Sequence, residues 1–153
     1  MKRVEVKLNL DAVAPLLDVI KATADELEPR LAVEPQVPVA EDEDFAADWR
    51  RELLAGQKSD LDVLLGLFDS DFFASGVIAL DEVNCESILR SCAALRLRLR
   101  ERRLAQLEDE RLEAGEIDLE SLPDAVQRAF AAYVFLATLQ EVIVHHLDPT
   151  AAE

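Results

Sequence analysis

The chain is 153 residues long, half of them hydrophobic, and carries a formal net charge of −16. A half-apolar composition excludes global disorder, and this length suits one domain that buries roughly 68–70% of its unfolded surface without a disulfide or metal staple. The charge disfavours nucleic acid and anionic membrane surfaces as partners.

Residues 3–10, RVEVKLNL, alternate apolar and polar side chains (Val4, Val6, Leu8, Leu10) and predict a strand. The N-terminal MKRVEVKLNLD has no continuous apolar core and no small-residue cleavage site, so no signal peptide is expected. Asp11 stands where an N-cap would, with Pro15 early in the next turn. A helix is predicted over 12–31, with Leu16, Leu17, Ile20, Ala24 and Leu27 on one stripe. Pro29 lies at its end, because the residue before a proline avoids helical geometry.

Residues 32–43, AVEPQVPVAEDE, read as an acidic loop across the surface, since Pro35 and Pro38 exclude a helix. From Asp44 a second helix is expected, with Phe45, Trp49, Leu53 and Leu54 at helical spacing and an interruption at Gly56 and Gln57. A shorter helix is predicted from Ser59. Asp60 and Asp62 would lie in its first turn, where the helix dipole favours anions. Val63, Leu64, Leu67 and Phe68 would face the core. Residues 69–76 read as a turn ending in Gly76, and residues 77–80 as an edge strand that pairs with residues 4–8.

A long central helix is predicted over 82–113, capped by Asp81 and closed by Ala114 and Gly115. Its core positions are Cys85, Ile88, Leu89, Cys92, Leu95 and Leu99. The segment LRLRLR alternates like a strand when taken alone, but its long unbranched neighbours favour helix. Cys85 and Cys92 would lie about 10 Å apart along the axis, farther than the Cα separation of about 7 Å that a disulfide spans. They are expected as core thiols in a reducing cytoplasm.

Residues 117–122 form a connector, and Pro123 opens a last helix over 124–147. That helix is apolar almost all round. Val126, Phe130, Tyr133, Val134, Ala137, Gln140, Glu141, Val144 and Leu147 mark one broad face, and Phe135, Leu136, Leu139 and Ile143 another. Such a helix is either central to a bundle or shared with a second copy, which would make a homodimer through 124–147. Its apolar runs fall short of the roughly 20 residues of a membrane span. Residues 148–153 are expected to be a disordered tail. The sum is a mainly α fold: a single-domain bundle of about five helices with at most a small two-stranded N-terminal sheet.

Charge is unevenly spread. Residues 24–81 hold 15 acids and 4 bases, whereas residues 90–111 hold seven arginines (Arg90, Arg96, Arg98, Arg100, Arg102, Arg103, Arg111) and four acids. The two zones should attract each other or a partner. Arg96, Arg100 and Arg103 share one helix face. They are expected to pair with the acids of residues 41–62 inside the fold, which specifies geometry more than it adds stability. The alternative is a cleft for an anionic ligand or an acidic partner segment. Arg96, Arg100, Arg103, Asp44 and Trp49 are therefore the candidate interaction residues. Trp49 and the Phe72–Phe73 pair read as core and turn-packing residues, or as aromatic anchors for a partner.

Signals for chemistry are sparse. Glu141 and His145 share a helix face, with His146 and Asp148 adjacent, but this is not the Glu-x-x-His of di-iron bundles and no second such pair exists. The histidines read as a polar helix end. Asp60/Asp62 and Asp69/Asp71 resemble calcium ligands, yet an EF-hand loop counted from Asp69 would place Ala74 and Leu80 where glycine and glutamate are required. There is no Gly-x-Ser-x-Gly elbow and no glycine-rich phosphate loop. No enzyme, cofactor or metal is expected.

Val6–Asp11 (V-x-L-x-L-D), the acidic stretch Asp44–Arg50 ending in W-R, Leu80–Val83, Leu95–Leu99 (L-R-L-x-L) and Tyr133–Gln140 follow one another in an order that resembles a small bacterial protein family. Its members have no established activity and are often encoded beside an adaptor of the Clp protease. The resemblance implies a cytoplasmic helical protein with a regulatory or proteolysis-linked role. The chain departs from the pattern in having no tryptophan in the central helix. The leading expectation is a non-enzymatic cytoplasmic interaction or regulatory protein whose partner is another protein or a second copy. A small-ligand or metal-binding bundle is the first alternative, and a transcription-linked protein the second.

Overall fold

A computed structural model of the chain describes residues 2–35, 43–105, 107 and 118–147. Its elements are β1 (Arg3–Lys7), α1 (Leu10–Glu26), α2 (Glu43–Leu65), α3 (Ser70–Ser75), β2 (Val77–Asp81), α4 (Cys85–Arg102), a 3-10 turn (Leu119–Ser121) and α5 (Asp124–His146). The fold is mainly α, with a small sheet at the N-terminus, as the periodicities predict. Most of the acidic loop, Arg111, the Ala114–Gly115 stop and the 148–153 tail lie outside the described residues.

β1 and β2 pair antiparallel, with Val4 opposite Leu80 and Val6 opposite Ile78. Ile78 and Leu80 are buried, while Arg3, Glu5 and Lys7 point outward. Period-two patterning and β-branched residues thus place one face of the ribbon on the helices. Gly76 joins α3 to β2 at φ 78°. A Cβ there would sit 2.9 Å from the Leu8 carbonyl oxygen, and Leu8 N–H donates to Gly76 O at 2.7 Å. Only glycine allows this close approach in a left-handed conformation.

Several predicted boundaries shift. Asn9, not Asp11, caps α1: its side-chain oxygen accepts from Ala12 N–H at 3.2 Å. Asp11 moves into the first turn, where its charge suits the helix dipole. The helix ends at Glu26 and not at residue 31, since Pro29 has no N–H to donate and restricts Glu28. Residues 69–76 contain more than a turn. Asp69 accepts from Phe72 N–H at 3.0 Å, and Gly76 closes a short helix. Asp81 does not cap α4 either. It holds the preceding turn, accepting from Val83 and Asn84 N–H at 2.9 Å each. The helix then starts at Cys85 and stops at Arg102, where the chain turns to bury Leu104 completely.

The largest departure is α2. Gly56 and Gln57 do not break it; one helix of 23 residues runs through both. A helix-interior glycine costs about 1 kcal/mol relative to alanine, too little to outweigh what Gln57 contributes there. Gln57 Nε2 donates to Leu27 O at 2.9 Å and to Arg30 O at 3.0 Å, and its Oε1 accepts from Ala32 N–H at 2.9 Å. A Cβ added to Gly56 meets nothing within 4 Å. Gly56→Ala should therefore stabilise the protein by about 0.5–1 kcal/mol, read from urea denaturation midpoints. No change or a loss would mean that the position is not open.

α4 is the centre of the bundle, touching α1, α2 and α5, while α5 packs on α1 and α4. Ile20 and Leu27, Leu61 and Leu64, Phe72, Ile88, Cys92, Leu95, Leu99, Leu136 and Ile143 form the core. Each large side chain so enclosed contributes roughly 1.5–3 kcal/mol of transfer free energy. The buried hydroxyls of Thr23 and Ser91 bond back to carbonyls one turn earlier, at 2.7 Å and 2.8 Å, so they add no desolvation penalty. By length and composition alone α5 would cross a membrane. In this fold Ala129, Phe130, Ala132, Tyr133, Leu136, Leu139 and Ile143 are buried against the other helices.

Candidate interaction site

Arg90, Arg96 and Arg98 of α4 and Arg103 at its end find partners inside the molecule, and those of Arg96 and Arg103 are not the predicted ones. Arg90 reaches the 41–62 region, gripping Asp60 with Nε at 2.9 Å and Nη2 at 3.1 Å. Arg96 turns to α5 instead. Its guanidinium lies 4.4 Å from the Tyr133 ring centre, and Nη1 donates to Gln140 Oε1 at 2.7 Å. Gln140 is itself oriented by donating to Leu89 O at 3.3 Å. Arg98 and Arg103 converge on Glu26 of α1, with Arg98 Nε 2.9 Å from one carboxylate oxygen and Arg103 Nη2 bonded to the other. Arg100 is half-buried. Residues 96, 100 and 103 share a face in sequence, yet that face wraps across the seam between α1 and α5. Pairing is therefore set by which helices flank α4, which periodicity does not encode.

The other two candidates stand on α2. Asp44 is exposed in its first turn. Trp49 is 37% exposed, Phe45 58% and Leu53 37%. These three repeat every four residues and form an apolar stripe facing outward, with the Phe45 and Trp49 rings stacked 6.5 Å apart. Trp49 is thus not the core residue that its size suggests. Phe72 is fully buried, whereas its neighbour Phe73 is half exposed.

The stripe leads into an open groove between α2 and α4. Its volume is about 530 Å³, and its apolar lining includes Leu31, Val33, Leu53, Ala93, Ala94 and Leu97. Gly56 also lines it, without a side chain to fill it. The triple hydrogen bond of Gln57 fixes one wall, residues 31–33. Arg50 extends this brace by bonding Glu34 at 2.7 Å and 3.3 Å, which holds the Glu34 carboxyl below its usual range. The Arg90–Asp60 pair stands at the opposite side, and the bond from Asp60 raises the Arg90 pKa. Sequence reasoning named Trp49 but missed Gly56, Gln57 and the Ala93–Ala94 step. The conjunction of a helix-interior glycine with small residues on a neighbouring helix was the available signal.

A second groove, about 700 Å³, runs along the outer side of α5 past Arg96, Gln140, Glu141, His145 and His146. Among the described residues no group of three or more His, Cys, Asp or Glu is placed to hold a metal ion. Asp60 serves Arg90, Asp62 pairs with Lys58 at 3.7 Å, and Asp69 caps α3. Cys85 and Cys92 are unpaired and buried. Burial pushes the Cys92 thiol up to about 12 despite the nearby Arg96 charge, and burial raises Cys85 as well. Neither is an activated nucleophile.

Compared with protein families, characterised proteins and solved structures, the chain matches none.

Proposed function

We propose that the chain is a non-enzymatic interaction protein, acting in a regulatory capacity in the cytoplasm, and that it docks its partner on the α2 stripe and the adjoining groove. The observation that carries this reading is the outward apolar row Phe45, Trp49 and Leu53 beside a braced, unfilled groove. Three large apolar residues aligned on the surface form a patch of the kind that marks interfaces, unlike singly scattered ones. Trp and other aromatics at the centre of such a patch are the usual anchors of binding energy. The wall is already fixed by Gln57 and Arg50, so little conformational entropy is lost when a partner arrives. Two unpaired core thiols suit a reducing compartment.

The test compares wild type, Trp49→Asp and Leu53→Asp as bait in cross-linking capture. Both side chains are more than a third exposed, so both variants should keep folded stability within about 0.5 kcal/mol of wild type. Capture of the partner recovered by wild type should fall about tenfold or more. Undiminished capture, or unfolding of either variant, would overturn the proposal.

A further inference from the structure

We infer that the occupant of the α2 groove is a cationic amphipathic helix: a basic segment that lays bulky apolar side chains along the stripe and sets its lysines or arginines against the acids of α2. The inference rests on the docking reading above and adds the chemistry of the partner.

Shape is the first argument. Phe45, Trp49 and Leu53 rise about 12 Å along α2, a span that a partner helix covers with anchors spaced three or four residues apart. Beyond Leu53 the surface drops at Gly56, where nothing lies within 4 Å of a would-be Cβ. The facing wall is low as well, built from Ala93 and Ala94. A helix backbone can approach such a floor closely.

Charge is the second argument, and it selects among partners. Residues 43–62 hold six acids (Glu43, Asp44, Asp48, Glu52, Asp60, Asp62) and three bases (Arg50, Arg51, Lys58). Each of those bases is already held by an acid: Arg50 by Glu34, Arg51 by Asp48 and Lys58 by Asp62. Arg90 at the groove is likewise engaged by Asp60. Each of these pairs uses an acid as well as a base, so the excess over 43–62 is the three charges by which acids outnumber bases; it is negative, and it lies within a chain of net charge −16. A second copy would set the same acids against these, and an acidic partner would be repelled outright. A basic helix is steered in and oriented by the same field.

Trp49, the chain's one tryptophan, sits on the stripe and reports occupancy. The probes are a helical peptide of leucine and lysine with an amphipathic repeat, and its leucine–glutamate counterpart of equal length. The lysine peptide should blue-shift Trp49 emission saturably and bind more weakly as salt rises. Gly56→Leu, or Ala93→Leu from the facing wall, should weaken it about tenfold with the fold intact. The glutamate peptide should leave the emission unchanged. Equal binding of the two peptides would overturn the cationic partner while leaving the groove as a docking site. Lysine-peptide binding that neither shifts Trp49 nor responds to Gly56→Leu would place the contact elsewhere and overturn it too. If neither peptide binds and sedimentation shows a dimer that Leu53→Asp splits, a second copy is the occupant. If neither binds and the chain is monomeric, both this inference and the docking reading fail.

Discussion

Replacing Glu26 with alanine should destabilise the protein by about 2–3 kcal/mol, a large effect for one carboxylate. Glu26 answers both Arg98 and Arg103, one on each oxygen. The Arg98 side chain is only 12% exposed, against 37% for Arg103 and 31% for Glu26. Exposed ion pairs contribute about 0–1 kcal/mol, and breaking a fully buried one costs about 3–5 kcal/mol; this triad lies between. Its loss would leave two guanidinium groups facing each other at the α1–α4 seam. Among the described residues Arg103 Nε already lacks a hydrogen-bond partner. Glu26→Gln should cost less, because one oxygen remains. Glu26→Met combined with Arg98→Met should recover much of the loss, as apolar replacement of a buried pair commonly does. Urea unfolding of the four proteins measures this. A Glu26→Ala variant within about 0.5 kcal/mol of wild type would show the arginines to be solvated and not structural.

Alkaline destabilisation carried by Cys92 is the second large effect. The thiol ionises near the ordinary 9.0 in the unfolded chain but is pushed to about 12 in the fold, where it is enclosed. Below pH 9 both states keep the proton and the shift costs nothing. Above it the unfolded state loses the proton while the folded state retains it, so stability falls as pH rises toward 12. The slope from this group is about 1.4 kcal/mol per pH unit. Other groups titrate over the same range, so the informative quantity is a difference. Cys92→Ala should be less stable than wild type at neutral pH through lost packing. By about pH 10.5 the gap should have closed by about 2 kcal/mol, because the variant has no thiol to ionise. Stability curves that stay parallel from neutral to alkaline pH would remove Cys92 from the account.

How much was legible in the chain depended on how local the cause was. Period-two alternation over residues 3–10 announced the first strand, and the short apolar run 77–80 after the Gly76 turn offered the edge strand that pairs with it. The helical reading of LRLRLR succeeded for a similar reason: unbranched neighbours on both sides outweighed a six-residue alternation. Helix ends failed where two capping residues competed within a few positions, as Asn9 did with Asp11 and Asn84 with Asp81. Of the candidate residues, Arg96 and Arg103 were expected to meet the acids of residues 41–62 and instead meet α5 and α1, and the core reading of Trp49 failed because its ring is partly exposed.

Composition and periodicity thus determined on their own a helix-rich chain, a small N-terminal ribbon and a segregation of charge, since each follows from side chains and their neighbours along the backbone. Tertiary structure alone decided that α2 continues through Gly56, that Gln57 staples a turn 25 to 30 residues away, and that Arg90 meets α2 while Arg96 meets α5 and Arg98 and Arg103 meet α1. It also left Phe45, Trp49 and Leu53 in solvent. Those outcomes depend on which helices lie side by side, and a helix stripe states only that something apolar should cover it, not whether the cover comes from the same molecule.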